Sequence, residues 1–392
     1  MAVFPVVELR RVNLLLINYE FPPVGGGAAN ATWELARALV ALGHRPTILT
    51  ARWGARRAAD LPAGVALIEV AARRKRAEAC TPFEMATFMV SAGWRIRAMM
   101  RREKIDGMLA FFSIPCGPVA WWAARGTGVP YVVSLRGGDV PGTEPSLNRV
   151  HRLLSPLRRR VLRSARAVVA NSPTLQQQAI AADAIPVEVI PNGVDTEFFS
   201  PPPSRPAAPP FRWLFVGRLQ AQKNLGWLLE RLATLREPSS PAWELHVVGD
   251  GPLRAEWERL GGSLGISSRV RWHGWQSREK LREFYRCSHA LVQPSLYEGM
   301  ANTVLEAMAC GLPVIASDEP ATRELIRASR AGACVPLGDS AAAQSILRDT
   351  MQGDALDRWG KSGRDYVVGQ CSWSHSAAEY VRLLGPHSTS QR

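Results

Sequence analysis

Lysine is scarce in this chain of 392 residues: only five of its 48 basic side chains are lysine, the rest arginine. Acids are also few, 34 in all, which leaves a net charge of +14. No apolar run approaches the roughly 18 to 20 residues of a membrane-crossing helix, so any membrane contact is expected to be peripheral. The N-terminus lacks the basic start, apolar stretch and small-residue cleavage site of a signal peptide. Six cysteines (Cys80, Cys116, Cys287, Cys310, Cys334, Cys371) form no C-x-x-C pair and no cluster with histidine. That argues against a structural zinc site or a disulfide framework, and for a reducing cytosol.

What is present is the composition of a globular protein. Apolar residues make up 46% and charged residues 21%, enough for a sizeable core, and the length suits two or three domains. The charge is uneven. Residues 1–196 hold 25 basic and 14 acidic side chains, a net of +11, against 23 and 20, a net of +3, in 197–392. Arginine and alanine together fit a GC-rich genome without selection for anion binding. That bias explains the asymmetry less well than the total.

The recurring unit is a short apolar run, a glycine-bearing turn and a helical pattern, which predicts parallel sheets covered on both faces. In the first half strands are expected at 12–18, 46–50, 66–70, 107–111, 131–135 and 167–170. The first is followed by Gly25, Gly26 and Gly27 and a helix from about Ala29 to Leu42. Ser200 to Pro210 carries six prolines in eleven residues and reads as a linker. Beyond it strands are expected at 213–216, 245–248, 270–273, 290–293, 313–316 and 334–336, and a closing amphipathic helix near 373–384. Two Rossmann-like domains are the simplest architecture. They are expected at 1–197, completed by a C-terminal helix at 374–392, and at 198–373.

Two helices of the first half pair an apolar stripe with arginine. One runs from Leu147 through Val150, Leu154, Leu157 and Val161, flanked by Arg149, Arg152, Arg158, Arg159, Arg160, Arg163 and Arg166, with Pro156 expected to kink it. The other, Met85 to Lys104, sets Met85, Met89, Ala92, Ile96 and Met99 against Arg95, Arg97, Arg101, Arg102 and Lys104. Each is either a core-facing stripe with a solvated back or a surface for anionic headgroups.

The chemistry concentrates in EGMANTVLEAMACGLPVIAS, Glu298 to Ser317. The eight-residue spacing of Glu298 and Glu306 puts both on one side of a helix, the first at its mouth. Between them Gly299, Met300, Ala301, Asn302 and Thr303 span a helix N-terminus, whose backbone N–H groups and dipole suit phosphate. Arg218 follows a strand and a glycine, where a guanidinium reaches phosphate oxygens at a sheet's carboxyl edge, and Lys223 adds a point charge one turn on. Asp250 has no second aspartate nearby and reads as a turn residue, and His44 as structural, so no metal site is expected.

These segments together resemble the family 4 retaining glycosyltransferases of the GT-B fold, close to the bacterial group 1 enzymes. The resemblance runs through the E-x7-E segment, FVGRLQAQKNLGWLLE (215–230), LHVVGDGP (245–252), VRWHGW (270–275), VIPNGVDTEFF (189–199) and the triple glycine, in order. It implies two Rossmann-like domains facing a central cleft, with a nucleotide-sugar donor mainly in the second and the acceptor in the first. It also implies a donor site of Gly26, Gly27, Arg218, Lys223, Gly249, Trp275, the 299–303 segment and Glu306, with Glu298 orienting the sugar. No cofactor and no metal are implied, and the donor's base and sugar stay open.

One position departs from the family pattern. Where many members carry a histidine in a His-Gly-x-Asp loop, this chain has SLRGGDVPG, with Arg136 in its place and Asp139 retained. An arginine is no general base at neutral pH. A catalytic role for Arg136 and Asp139 is therefore only an expectation carried by the family. The reading is a retaining, metal-independent hexosyltransferase of polysaccharide or glycolipid synthesis, cytoplasmic or peripheral on the inner membrane face. Its partners would be the donor, a saccharide, lipid-linked or small-molecule acceptor, and anionic lipid, not nucleic acid. A non-catalytic sugar-nucleotide-binding paralogue and another GT-B enzyme, such as an epimerase, are the alternatives.

Overall fold

The computed structural model describes residues 11–54, 61–75, 80–144, 147–204, 207–235 and 241–385. They form two compact units, one of the residues up to Pro191 together with those from Trp373 on, the other Asn192–Ser372. The division thus falls six residues before the sequence boundary at 197/198.

The first unit is a parallel sheet of seven strands: β1 (Asn13–Ile17), β2 (Arg45–Ala51), β3 (Ala66–Val70), β4 (Gly107–Phe111), β5 (Tyr131–Ser134), β6 (Ala167–Ala170) and β7 (Glu188–Val189). Their order is β3-β2-β1-β4-β5-β6-β7. The central strands are apolar almost throughout because helices cover both faces, so no alternation is needed. On one face α1 (Gly27–Ala41) and α13 (Trp373–Leu384) share a core with Leu14, Leu16 and Leu109. On the other, Leu15, Ile17 and Val133 pack under α2 (Pro82–Met100), α3 (Gly117–Thr127), α4 (Asn148–Ser164) and α5 (Pro173–Asp183). The closing helix ends at Leu384, and residues 386–392 lie outside those described.

Helix α2 starts three residues earlier than expected, since Thr81 and Glu84 form a reciprocal capping box with Pro82 in the first turn. The predicted stripe of Met85, Met89, Ala92, Ile96 and Met99 does pack into the core. Helix α4 runs unbroken through Pro156. One member of its expected solvated face is not solvated: Arg158 is 2% exposed and pairs with Asp183 of α5 at 2.7 Å. Breaking such a buried pair typically costs about 3–5 kcal/mol, because the remaining charge stays desolvated.

The second unit winds the same way: β8 (Phe211–Val216), α6 (Leu225–Ala233), β9 (Trp243–Val248), α7 (Arg254–Ser263), β10 (Val270–Gly274), α8 (Arg278–Cys287), β11 (Ala290–Gln293), α9 (Asn302–Ala309), β12 (Val314–Ser317), α10 (Pro320–Ser329) and β13 (Gly332–Val335), then α11 (Ser340–Gln352) and α12 (Ala355–Gln370). The order β10-β9-β8-β11-β12-β13 is again all parallel. Trp213, Phe215 and Leu228 fill one core layer, and Leu214, Val304 and Met308 the other. Each large side chain buried this fully contributes about 1.5–3 kcal/mol.

Candidate active site

In an open parallel sheet a ligand crevice forms beyond the carboxyl ends of the strands, where the strand order reverses. The second unit reverses between β8 and β11. A tight turn after β8, Ala221–Lys223, carries Lys223 back over Gly217, where a Cβ would lie 3.5 Å from the lysine stem. Lys223 Nζ donates to Glu298 Oε1 at 2.5 Å, and Gln293 Nε2, from the last residue of β11, donates to the same oxygen at 3.1 Å. Both charged side chains are largely buried, at 15% and 9% exposure. The ion pair therefore spans the reversal point itself. Arg218, two residues after the end of β8, is half-buried.

Helix α9 begins only at Asn302, so Glu298 and Glu306 do not share a helical face. Glu298 is in the loop after β11, and the eight-residue spacing covers a loop plus one turn. Glu306 lies within α9, where the Tyr285 hydroxyl donates to its Oε2 at 2.8 Å. Burial, reinforced by Glu306, pushes the Tyr285 phenol well above its usual pKa, so it stays a donor. Ala301 caps α9 without any side-chain hydrogen bond, and the buried Thr303 Oγ1 has no hydrogen-bond partner among the described residues. Asn192 closes one side: its Nδ2 donates to Asn302 Oδ1 at 2.8 Å, and its backbone N–H faces the Met300 sulfur.

Gly249 has a backbone reason to be glycine. Its φ is +127° and a Cβ would lie 2.0 Å from the Gly217 carbonyl oxygen, so the loop after β9 can lie against the β8 loop only without a side chain. Trp275 stands 65% exposed beyond β10. Asp250 accepts from the Gly251 N–H and pairs with Arg254, the turn role read from the sequence. Among the described residues no cluster of metal-ligating side chains occurs.

The first unit reverses between β1 and β4. After β1, Asn18 holds the turn by donating to Thr32 Oγ1 at 2.7 Å and accepting from the Glu20 N–H. Gly25 (φ +95°) passes over the Glu20 side chain, and Gly26 and Gly27 lead into α1. After β4, Phe112 adopts φ +72°, a strained conformation for an aromatic residue and of the kind that gathers at functional sites. The sequence reading missed it, since nothing in the local pattern marks a left-handed residue that is not glycine.

Arg136 and Asp139 follow β5. Both carboxylate oxygens of Asp139 accept backbone N–H groups, from Ser113 at 2.6 Å and Arg136 at 2.8 Å. Arg158 donates to the Ser113 hydroxyl beneath them. The Arg136 guanidinium rests over the Phe111 ring at 4.5 Å, its pKa lowered by burial and partly restored by Tyr380 and Asp139. His44 is buried, accepts from the Val12 N–H, and has its pKa lowered by burial.

The sequence and the fold both match known proteins. The family model described as glycosyltransferase family 4 matches residues 25–198, and that of glycosyl transferases group 1 matches 210–351. This chain is a group 1, family 4 glycosyltransferase. Over 95% of its length the glycosyltransferase is 25% identical to 97% of an uncharacterized glycosyltransferase of Methanocaldococcus jannaschii. It is 26% identical to the phosphatidyl-myo-inositol mannosyltransferase of Mycobacterium leprae, with 96% of this chain and 97% of that one aligned. Its two units have the GT-B fold. The sucrose-phosphate synthase of Thermosynechococcus elongatus superposes with a TM-score of 0.78 at 22% identity, covering 95% of this glycosyltransferase and 98% of that chain.

Proposed function

We propose that this glycosyltransferase moves a sugar from a nucleotide-sugar donor to a saccharide, lipid-linked or small-molecule acceptor, with retention and without a metal, in polysaccharide or glycolipid synthesis. The observation that carries the donor site is the Lys223–Glu298 pair at the β8/β11 reversal, beside the α9 N-terminus and the unpartnered Thr303 hydroxyl. Arg218, Lys223 and the N–H groups of the 299–303 segment stabilise the charge on the departing diphosphate, an electrostatic contribution often worth several kcal/mol. Glu306, oriented by Tyr285, grips the ribose, and Glu298 orients the sugar. The bond from the anomeric carbon to the phosphate oxygen breaks as the acceptor oxygen bonds to the same face. The acceptor's proton passes to a donor phosphate oxygen, so no side-chain base is required.

Acceptor binding falls to the first unit, near the glycine turn and Arg136. An anionic or lipid-linked acceptor would account for its surplus of charge, and the mannosyltransferase relative is named for a lipid acceptor. The enzyme would then work in the cytoplasm, peripherally on the inner membrane face. The test is turnover of UDP-, GDP- and ADP-sugars in excess EDTA, with the anomeric configuration of the product read by NMR. Retained configuration and undiminished turnover are expected. Inversion or a strict Mg²⁺ requirement would overturn the mechanism, and donor binding without turnover on any acceptor would favour a non-catalytic paralogue.

A further inference from the structure

Helices α2, α3, α4 and α5 lie side by side on one face of the first sheet, and their outer surface is unlike the rest of the protein. Helix α2 has two apolar stripes. One, through Phe88, Ala92, Ile96 and Met99, enters the core. The other holds Phe83, Val90 and Trp94, which are 63%, 62% and 77% exposed. With Arg97 and the capping Arg101 these residues fall within about 60° of arc at 3.6 residues per turn. Leu153 of α4, at 80%, and Ile180 of α5, at 43%, add to the same layer. Five of the eight large apolar side chains that stand exposed among the described residues are therefore on these four helices.

The charge on this layer has one sign. Two exposed arginines stand on α2, one on α3 and five on α4. The only acids on the four helices, Glu84 and Asp183, are buried. Tryptophan is interleaved with the arginines. Gly93 lets the Trp122 ring approach α2, where a Cβ would come within 3.2 Å of it, and Arg97 lies over that ring at 3.8 Å. Trp121 lies between Arg125, at 5.1 Å, and Arg160 of α4, at 5.6 Å. The opposite layer differs in kind. On α1 and α13 the charges are paired, Arg37 with Glu34 and Arg382 with Glu379 and Glu188, and no large apolar side chain is exposed.

From this we infer that the outer face of α2–α4 docks on an anionic lipid surface. Helix α2 would lie in the interfacial plane with Phe83, Val90 and Trp94 among the acyl-chain ends, and the arginines would meet lipid phosphates. A second copy of the chain fits poorly, because a self-complementary interface would set these unopposed arginines against one another. A nucleic-acid backbone would neutralise the arginines but leave Phe83, Val90 and Leu153 in water. No helix of the described residues is long and apolar enough to cross a membrane, so the contact is one of surface only. The inference deepens the membrane part of the reading above, and donor chemistry in the second unit does not depend on it.

The test is sedimentation of the full chain with vesicles of phosphatidylglycerol and phosphatidylcholine in equal parts, against phosphatidylcholine alone. Binding is expected to the anionic vesicles only, and to weaken as salt is raised. The triple variant Phe83→Ser, Val90→Ser, Trp94→Ser should lose it. Arg97→Gln and Arg101→Gln should each weaken it about fivefold. Arg37→Gln on the opposite layer should leave it unchanged. Melting temperature and sugar-nucleotide turnover on a soluble acceptor, followed in parallel, should stay at wild-type values in every variant. That separates failure of the docking face from failure of the transferase reading. Vesicle binding by the triple variant equal to wild type would overturn the inference. So would equal binding to neutral vesicles, or a wild-type dimer that the triple variant dissolves without any vesicle binding.

Discussion

Both sheets reverse their strand order once, between β1 and β4 in the first unit and between β8 and β11 in the second, yet the two reversal points carry different chemistry. In the second unit they carry opposite charges brought into contact, Lys223 and Glu298, held by Gln293. In the first they carry a glycine turn, a strained Phe112 and a loop pinned by Asp139 through backbone N–H groups. The surfaces differ in the opposite sense: the first half of the chain holds a net of +11 and the second +3. Exposed arginines of the first unit stand on the outer face of α2–α4, whereas Lys223 and Glu298 meet at the reversal point of the second. The same winding supports both, because the fold supplies an edge and the loops supply the function.

Glycine substitutions break the comparison most sharply. Gly249 and Gly137 both have positive φ, +127° and +112°, but a Cβ on Gly249 strikes the Gly217 carbonyl, whereas on Gly137 it meets nothing within 4 Å. Gly249→Ala should destabilise the second unit by roughly 3 kcal/mol or more, and Gly137→Ala the first by about 1–2 kcal/mol. Urea denaturation followed by unit-resolved hydrogen exchange would measure both. Equal effects would mean that the close approach of the β8 and β9 loops relaxes freely.

Asp139 comes next. Asp139→Ala leaves two backbone N–H groups, one buried and one partly buried, without their acceptor and should cost the first unit about 2–3 kcal/mol. Donor affinity, read by calorimetry, should not change. A variant of normal stability whose transfer rate collapsed would instead make Asp139 catalytic.

The smallest effect is one of pH. Burial holds His44 below its ordinary pKa, so the unfolded chain binds the proton more readily than the folded one. Its contribution is fully present above about pH 6.5 and is lost as the pH falls from there towards the lowered folded value. His44→Gln should flatten the acid limb of the first unit's stability, seen as hydrogen exchange of β1 and β2 amides at about pH 5 and pH 7.

The strands were legible because a sheet buried on both faces needs unbroken apolar runs, and 66–70, 107–111, 167–170 and 290–293 stand where those runs predict. Only the two-residue β7 was too short to leave a pattern. The E-x7-E segment was legible as a motif but not as geometry, since helical spacing does not announce that α9 starts at Asn302. Tyr285 and Gln293 reach their glutamates from other elements, so no local pattern could pair them. On α2 the methionine stripe is legible and the Phe83–Trp94 stripe is not, because its three apolar residues are spaced by seven and four positions among those of the core-facing stripe. In sequence Arg158 looks like the solvated arginines around it, since only packing against α5 separates it from its neighbours.

The central claim, that the β8/β11 reversal of the second unit is the donor site, is tested most directly by Lys223→Ala, with the rate of sugar transfer and the unfolding midpoint measured on the same preparation. The account predicts a loss of roughly 10²–10³-fold in transfer by protein that still unfolds cooperatively, at a lowered midpoint because Glu298 loses its buried partner. Wild-type transfer by a folded Lys223→Ala protein would contradict it.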